Sequence, residues 1–391
     1  MKKSILKVTG LVVLALGIFV SCTTDDEDSS SSTFVVDANN FQGTINDGEV
    51  ILNGGTVYKL TGKIQVNDGA SLTIPAGTVI EGVGGTASYI AVAQGGKLNV
   101  NGTSSNPVIF TSGLGTKAPG DWGGLVICGK APINRVNGGT GTAQSEVADL
   151  TYGGTIANDN SGSIRYLRIE FAGAAFNSEK EFNGASLFGV GSGTIFENVQ
   201  ALNGSDDGFE FFGGTVNTAN LVSIGNEDDQ FDWTEGWNGT NTNWYGKIAN
   251  GKGNRGIEAD NFELGFLNTP IADPSITNMT LVGPGSGADG AVYPENQGLK
   301  LRRGTKGMFS NVYLAAWKTG FDIEHDETIS YVGTSLMATN VNFNDVPTQT
   351  KGKKTDGSAT DVSAAVTTGT GTGAGNGSGA PSWASGWALG F

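Results

Sequence analysis

The sequence predicts an all-β solenoid with inserted loops, and three observations support this prediction. A short phrase of an apolar, a polar and an apolar residue occurs six times, and its first residues are 24, 22, 26, 42 and 22 positions apart. Glycine accounts for 63 of 391 residues without a collagen period, which indicates many tight turns. The other apolar residues occur in short alternating runs rather than in long helical periods. Unequal spacing of one repeat is typical of stacked coils that carry loops.

The repeated phrase predicts both a core and an outer column. Strand alternation points the two apolar residues inward and the central residue outward. Stacking of the coils then places the central residues about 4.8 Å apart in one column on the exterior. The six copies are Ala185-Ser186-Leu187, Phe209-Glu210-Phe211, Phe231-Asp232-Trp233, Ile257-Glu258-Ala259, Leu299-Lys300-Leu301 and Phe321-Asp322-Ile323.

The N-terminus predicts an exported protein with a lipid anchor. Residues 1–21 have the features of a signal peptide, because lysines flank an apolar stretch that ends in small residues. The text Phe19-Val20-Ser21-Cys22 resembles the lipobox of bacterial lipoproteins, which implies lipidation of Cys22. The acidic and Ser-rich tether at residues 22–33 resembles the export signal of surface lipoproteins of the Bacteroidota. We therefore expect a location at the outer membrane, facing the cell exterior.

Charge and cysteine content limit the partners of the mature chain. Removal of residues 1–21 takes away three lysines and no acidic residue, which changes the formal net charge from −15 to −18. Nucleic acid is therefore excluded as an expected partner. Cys128 lies in the apolar run 125–128 and is predicted to be an inert buried thiol rather than a disulfide partner of Cys22.

Residues 34–346 are predicted to form the solenoid itself. Short strands alternate with turns such as Asn67-Asp68-Gly69 and Gln94-Gly95-Gly96, which is typical of the coils of a parallel β-helix. A second register consists of asparagines that precede apolar residues. Two interpretations of these asparagines are open: a hydrogen-bonded ladder along the axis, or simple exposed turns. They are Asn198, Asn220, Asn278, Asn311 and Asn340.

Several stretches resemble a known group of proteins. Residues 81–116 resemble secreted right-handed β-helix proteins. A narrower group, the right-handed parallel β-helix surface lipoproteins of the Bacteroidota type, is resembled by Gly120 to Ile127, by the stretches 206–216 and 228–236, and by Trp383 to Trp387. The resemblance covers most of residues 50–391. It implies a right-handed parallel β-helix of roughly a dozen coils, about 55 to 60 Å long. The resemblance implies a fold and a cellular location, and it assigns no activity.

Acidic residues crowd around the second, third and fourth copies of the phrase. Rigid clusters of carboxylate oxygens are what Ca²⁺ coordination requires. Two interpretations are therefore open: a solvated acidic face of Asx turns, which the sequence favours, and a calcium site. The candidate ligands are Asp206, Asp207, Glu210, Asp228, Asp229, Asp232 and Glu258.

Aromatic residues near the third copy predict a sugar-binding surface. Trp237, Trp244 and Tyr245 lie among Asn and Gly residues, and flat rings in such a setting stack on sugars. Trp233 occupies an inward position of the phrase and is expected in the core. The single histidine, His325, is expected at a rim, since it lacks the Gly-His-Gly setting of the polygalacturonases that the paired aspartates resemble.

Three further segments depart from the repeat. Residues 134–162 and 262–297 are predicted to be loops that project from the stack, where binding commonly resides. Residues 347–382 are of low complexity and are predicted to be a loop or linker. Residues 383–391 contain Trp383, Trp387 and Phe391, and we expect this aromatic segment to dock on the solenoid.

Together these features favour a non-enzymatic binding or structural protein that serves as an accessory subunit of an outer-membrane complex. The alternative is a polysaccharide lyase or glycoside hydrolase that acts on acidic glycans through a groove with calcium. Such a lyase would take Lys300, Arg302 or Arg255 as its base, whereas a hydrolase would use two carboxylates. An enzyme should show an open cleft over the outer column, whereas a binding protein should have it flat, metal-filled or covered by residues 262–297.

Overall fold

The computed structural model describes residues 31–177, 180–249 and 251–391. The predicted signal peptide, Cys22 and the tether up to residue 30 lie outside the described residues. Within the described ranges, no helix is long and apolar enough to cross a membrane.

Within the described ranges, the chain forms 27 short strands and very little helix. The N-terminal strands are β1 (Phe41–Ile45), β2 (Glu49–Ile51), β3 (Val57–Val66), β4 (Ser71–Pro75), β5 (Val79–Gly82), β6 (Ile90–Val92), β7 (Lys97–Asn101), β8 (Val108–Ser112), β9 (Leu125–Cys128), β10 (Ala143–Gln144) and β11 (Thr151–Tyr152). The middle strands are β12 (Gly162–Glu170), β13 (Ala185–Phe188), β14 (Ile195–Leu202), β15 (Phe209–Phe212), β16 (Thr218–Ile224), β17 (Phe231–Thr234), β18 (Thr240–Lys247) and β19 (Ile257–Asp260). The C-terminal strands are β20 (Ser275–Val282), β21 (Gln297–Arg302), β22 (Gly307–Ala315), β23 (Thr319–Glu324), β24 (Leu336–Asn344), β25 (Thr348–Lys353), β26 (Ala359–Thr360) and β27 (Val366–Thr368). The helical elements are α1 (Asp326–Ile329) and two 3₁₀ turns, Ser363–Ala365 and Ser382–Ala384.

Strands of successive coils pair in parallel, which confirms the predicted all-β fold with a right-handed parallel β-helix. One sheet, here called the phrase sheet, runs through eleven rungs from Ile45 in β1 to Gly352 in β25. The antiparallel pairs β10–β11 and β25–β26 lie in inserted or terminal segments. The six copies of the phrase align residue by residue in this sheet, as the sequence predicts.

The asparagines form the ladder that the sequence left as one of two interpretations. Each Nδ2 donates to the Oδ1 of the asparagine in the preceding coil: Asn220 to Asn198 at 2.9 Å, Asn278 to Asn243 at 3.0 Å and Asn311 to Asn278 at 2.8 Å. Asn243 is a member that the pattern did not include, and it donates to Asn220 at 2.8 Å. All of these residues have φ between 53° and 63°, a left-handed bend that asparagine tolerates better than most residues.

Two segments differ from their predicted boundaries. Residues 275–282, inside the predicted loop 262–297, form β20, because Asn278 continues the ladder there. Strand β25, within the predicted low-complexity segment, adds a rung beyond residue 346. The C-terminal residues lie on the outside of the helix, where Trp387 is buried and Phe391 contacts the ring of Tyr245 at 5.1 Å.

Candidate functional site

The phrase sheet brings the predicted outer column together in register. Ser186, Glu210, Asp232, Glu258, Lys300 and Asp322 are consecutive cross-strand neighbours. This set is called the outward column below. Its exposure is uneven, although the sequence predicts that the whole column lies on the exterior. Ser186, Lys300 and Asp322 are 1%, 7% and 0% exposed, whereas the three carboxylates between Ser186 and Lys300 are partly accessible.

The inserted loop 134–162 covers the N-terminal side of the outward column. Instead of projecting, it packs Val147 and Tyr152 against the outer face of the sheet, where they meet Val126, Phe188 and Phe212 in a second apolar cluster. Burial of this apolar area stabilises the loop in place. The structure also buries Cys128 in this cluster, and burial raises the pKa of its thiol to about 12, which keeps it protonated and unreactive.

A small cleft remains over Glu210, Asp232 and Glu258. Its volume is about 240 Å³. Arg135 and Glu146 of the first inserted loop form one wall, and Phe262 and Glu263 lie among the residues of the other. Toward the C-terminus, Lys300 and Asp322 are buried and held in ion pairs with Glu324 and Lys351. The accessible acidic part of the column is therefore one short cleft.

The seven predicted metal ligands lie together in three overlapping groups. One oxygen atom of each member lies within 4.8 Å of the others in each group. The groups are Asp206, Asp207 and Asp228; Asp207, Glu210 and Asp232; and Asp229, Asp232 and Glu258. Carboxylate oxygens at this spacing repel one another, and they are the donor type that a hard divalent cation takes.

Burial and mutual repulsion favour the neutral form of these carboxyls. Burial, followed by the charge of Asp228, raises the pKa of Asp206 to about 8. Burial and then the charges of Glu210 and Glu258 raise the pKa of Asp232 well above its usual range. The pKa values of Asp207, Glu210 and Asp229 are raised in the same direction, again mainly through burial. A bound cation would reverse this preference, because it stabilises the ionised forms.

A second column, three residues before the outward column, supports the acidic groups. The backbone N–H of Asp229 donates to Asp207 Oδ1 at 2.8 Å, and that of Arg255 donates to Asp229 Oδ1 at 2.6 Å. In the coil before, Asn183 Nδ2 donates to Glu210 Oε2 at 2.7 Å. Asn183 is 1% exposed, and its Oδ1 has no hydrogen-bond partner among the described residues. A buried amide oxygen beside a carboxylate cluster is a further neutral ligand for a cation.

The three basic residues considered as catalytic bases are all held in ion pairs. Arg255 Nη1 lies 3.2 Å from Asp229 Oδ2 and 3.0 Å from Glu258 Oε1. Arg302 pairs with Glu258 at 2.8 Å and with Asp260 at 2.8 Å. Lys300 pairs with Asp322 at 3.3 Å and with Glu324 at 2.5 Å. Burial lowers the pKa of Arg255, but the charges of Asp229 and Glu258 outweigh it and raise the pKa, which makes this residue a poorer base.

The structure corrects the interpretation of the aromatic residues. Trp237, Trp244 and Tyr245 are each 0% exposed, so no ring face is available for a sugar. Trp237 stacks on Phe211 at 4.1 Å and Trp244 stacks on Phe231 at 4.4 Å inside the coil, because both tryptophans occupy inward positions. Tyr245 lies outside the core but under the C-terminal segment, where its hydroxyl donates to the Ser378 carbonyl at 2.8 Å.

The sequence analysis missed several residues around the cleft. Arg135 Nε lies 2.5 Å from Glu235 Oε1, and the Tyr152 hydroxyl donates to Glu235 Oε2 at 2.7 Å. Burial, then repulsion from Glu235, raises the pKa of Glu146 to about 7. Arg135, Tyr152 and Glu146 come from an insertion without periodicity, so no sequence pattern could align them with the column. His325 lies beside the second loop, with its ring 4.9 Å from that of Phe266.

Comparison with known proteins agrees with this architecture. One family model, described as a pectate-lyase like beta helix domain, matches residues 43–388. The chain belongs to this family. Neither the curated proteins nor the solved structures contain a significant match to the chain. Membership of the pectate-lyase like family therefore accounts for the fold, whereas any activity depends on the chemistry of the cleft itself.

Proposed function

We propose that this protein is a lipid-anchored, surface-exposed outer-membrane protein that acts without catalysis, as a binding or structural accessory subunit of an outer-membrane complex. The observation that carries the proposal is that the accessible acidic surface is interrupted on both sides of the acidic cleft. A polymer that followed the helix axis would meet the first inserted loop at one end and the ion pairs of Lys300 at the other. In this proposal, the lipid anchor is attached to Cys22.

The size of the cleft supports a small ligand. Pockets that enclose drug-sized molecules usually measure about 300 to 1,000 Å³, and the acidic cleft measures about 240 Å³. A single ion with its remaining water fits such a volume better than several sugar rings do. We therefore place a divalent cation, with Ca²⁺ as the first candidate, in the cleft.

The group Asp207, Glu210 and Asp232 is the best position for this cation. Within the described residues, none of these three carboxylates has a basic side chain within ion-pair distance. Asn183 adds the buried amide beside Glu210. A cation here would neutralise like charges that burial otherwise penalises, and it would fix the coils that carry β13, β15 and β17 to one another. Its role in the proposal is structural.

The enzymatic alternative has one observation in its favour. Carboxyls with raised pKa values around a cleft are what general-acid catalysis uses, and Glu210 and Asp232 fit this description. The pairing of Arg255, Arg302 and Lys300 argues against the lyase version, because none of these three groups is free to take a proton from a substrate. The enzymatic alternative is therefore a hydrolase that acts on short acidic glycans.

The deciding experiment is purification of the protein from native outer membranes in mild detergent, without crosslinking, followed by identification of co-purifying proteins. We expect a reproducible outer-membrane partner at a fixed stoichiometry. Cys22→Ser is the control for the anchor, and it should move the protein to the soluble fraction. The proposal fails if the protein is isolated alone and shortens an acidic glycan, and if Glu210→Gln abolishes that activity.

A further inference from the structure

The C-terminal half of the phrase sheet carries a second and larger pocket. Its volume is about 540 Å³. Strands β21, β23 and β25 provide the floor, and the inserted segment that contains Tyr293 and Pro294 provides a wall. Asn296 holds this wall, since its Nδ2 donates to the Gly285 carbonyl at 2.9 Å and its Oδ1 accepts from the N–H of Lys318 at 3.0 Å. The pocket shares no lining residue with the acidic cleft.

Two acceptor atoms in this pocket lack partners. Asp322 Oδ2 accepts from Lys300 at 3.3 Å and from Lys351 at 2.9 Å, but Asp322 Oδ1 has no hydrogen-bond partner among the described residues. Asp322 is 0% exposed. Gln297 Nε2 donates to Glu295 at 3.0 Å, whereas Gln297 Oε1 is likewise buried and without a partner in the described chain. Buried acceptors of this kind favour a ligand that donates hydrogen bonds.

Hydrogen-bond donors surround these acceptors. Lys351 and Lys353 are 50% and 44% exposed in their side chains, and each ammonium has three N–H groups, more than its one carboxylate partner uses. Lys318 lines the mouth and has no carboxylate within ion-pair distance in the described ranges. Tyr293 offers an aromatic side chain that is only partly buried. The pocket is therefore lined by both hydrogen-bond donors and hydrogen-bond acceptors.

The charges of the lining exclude a simple ion. Four lysines and three carboxylates line the pocket, so the net charge is close to neutral. A metal cation would face Lys300 at the buried carboxylate, and an inorganic anion would face Asp322 and Glu324. Hydroxyl groups satisfy both kinds of partner, because each one donates and accepts.

We propose that this pocket binds an uncharged polyhydroxylated ligand, such as a neutral hexose unit of a glycan. Asp322 Oδ1 and Gln297 Oε1 accept hydrogen bonds from its hydroxyls, and the lysines at the mouth donate to others. The two acceptors lie on neighbouring strands, three positions apart along the strand direction, because Gln297 pairs with Thr319 in β23. The inference goes beyond the proposed cation site and does not depend on it.

The test is saturation-transfer NMR on the mature full-length chain with D-glucose, D-galactose, D-mannose and N-acetyl-D-glucosamine. We expect at least one of these sugars to bind with a dissociation constant in the millimolar range, which is usual for a single ring. Gln297→Met and Asp322→Asn should each weaken binding about tenfold, as expected for loss of one buried hydrogen-bond partner. Glu197→Gln, on another sheet, is the matched control and should leave binding unchanged.

Each other outcome overturns the inference. The pocket is not a sugar site if none of the four sugars shows transfer, or if both variants keep wild-type affinity. Tighter binding of glucuronate or inorganic phosphate than of every neutral sugar contradicts the uncharged class. If Asp322→Asn fails to fold, Gln297→Met decides alone, because it removes no charge. Repetition with chelator separates this site from the cation site, since sugar binding should not change.

Discussion

The two halves of the outward column share one backbone register and differ in the order of their charges. In the acidic half, Glu210, Asp232 and Glu258 follow one another on adjacent strands. In the alternating half, Lys300, Asp322 and Lys351 follow one another in the same geometry. The alternating half neutralises itself through ion pairs at 3.3 and 2.9 Å. Within the described residues, Glu210 and Asp232 have no basic partner at ion-pair distance, so the acidic half favours a proton or a cation.

This difference shows how a β-helix separates structure from binding. Stacked coils set the distance between neighbouring side chains, so the sign of each charge decides whether a rung attracts or repels the next one. Alternation neutralises the charges of the column without any ligand. Repetition of one sign leaves the surface dependent on a ligand. The four predictions below test this contrast.

The largest effect is expected from Lys300→Met in the alternating half. Lys300 is 7% exposed and sits between Asp322 and Glu324, so its removal leaves two buried carboxylates with one lysine each. Loss of one partner from a buried ion pair usually costs about 3 to 5 kcal/mol. We expect a decrease of this size in the free energy of unfolding, measured by urea denaturation.

Lys252→Met is the matched control for this substitution. Lys252 also pairs with a carboxylate, that of Glu227 at 2.7 Å, but its side chain is 64% exposed. Exposed pairs contribute about 1 kcal/mol or less. Equal losses for the two variants would show that alternation does not stabilise the buried half.

The second prediction concerns Asp232→Asn, which removes the central charge of the acidic half. In chelator at neutral pH or above, the variant should be more stable than the wild type by about 1 to 3 kcal/mol, because it relieves repulsion from Glu210 and Glu258. With excess Ca²⁺, the wild type should gain thermal stability and the variant should gain much less. The measurement is the melting temperature of both proteins in EDTA and in Ca²⁺.

Asp68→Asn controls for the loss of an aspartate elsewhere. The Asp68 side chain is 77% exposed, so this variant should change stability by less than about 0.5 kcal/mol and should keep the full response to Ca²⁺. A wild-type melting temperature that is the same in EDTA and Ca²⁺ would remove the cation from the proposal.

The third prediction is that the two halves respond to pH with opposite signs. Burial opposes ionisation of Glu324, but hydrogen bonds from Lys300 and Lys353 lower its pKa from 4.5 to about 2. Its stabilising contribution is therefore present above pH 4.5 and is lost as the pH falls toward 2. Burial raises the pKa of Asp206 from 3.8 to about 8, so its contribution is present below pH 3.8 and is lost as the pH rises toward 8.

Urea unfolding in chelator across this pH range, with one neutral variant at a carboxylate beside each half, measures the two signs. Glu324→Gln should be less stable than the wild type near neutral pH and should approach it in strong acid. Asp206→Asn should match the wild type in acid and should become the more stable protein as the pH approaches 8. Curves of the same sign for both variants would contradict the contrast between the halves.

The order of charges along the outward column could be predicted from the sequence, but the position of the loops around the column could not. The six copies of the phrase aligned Glu210 with Asp232 and Lys300 with Asp322, because strand pairing follows the repeat directly. The covering of the column could not be predicted, since the inserted loops have no period and their positions depend on tertiary contacts such as that of Tyr152 with Phe188. The aromatic residues were misassigned for a related reason: Trp237 lies after a bend at Glu235, whose φ of 57° turns the chain inward.

The smallest difference in stability between the two halves is expected for the asparagine ladder, which runs beside both of them. Asn220 precedes the rung of Asp232 and has φ of 58°, and Asn278 precedes the rung of Lys300 and has φ of 63°. Glycine tolerates these angles, so Asn220→Gly and Asn278→Gly remove only side-chain hydrogen bonds without adding backbone strain. Each asparagine donates one ladder bond and accepts one, at 2.9 and 2.8 Å for Asn220 and at 3.0 and 2.8 Å for Asn278.

Both variants should lose about 1 to 3 kcal/mol in the free energy of unfolding, measured by urea denaturation, and the two losses should agree within about 0.5 kcal/mol. A larger disagreement would mean that the halves differ in their backbone and not only in their order of charges.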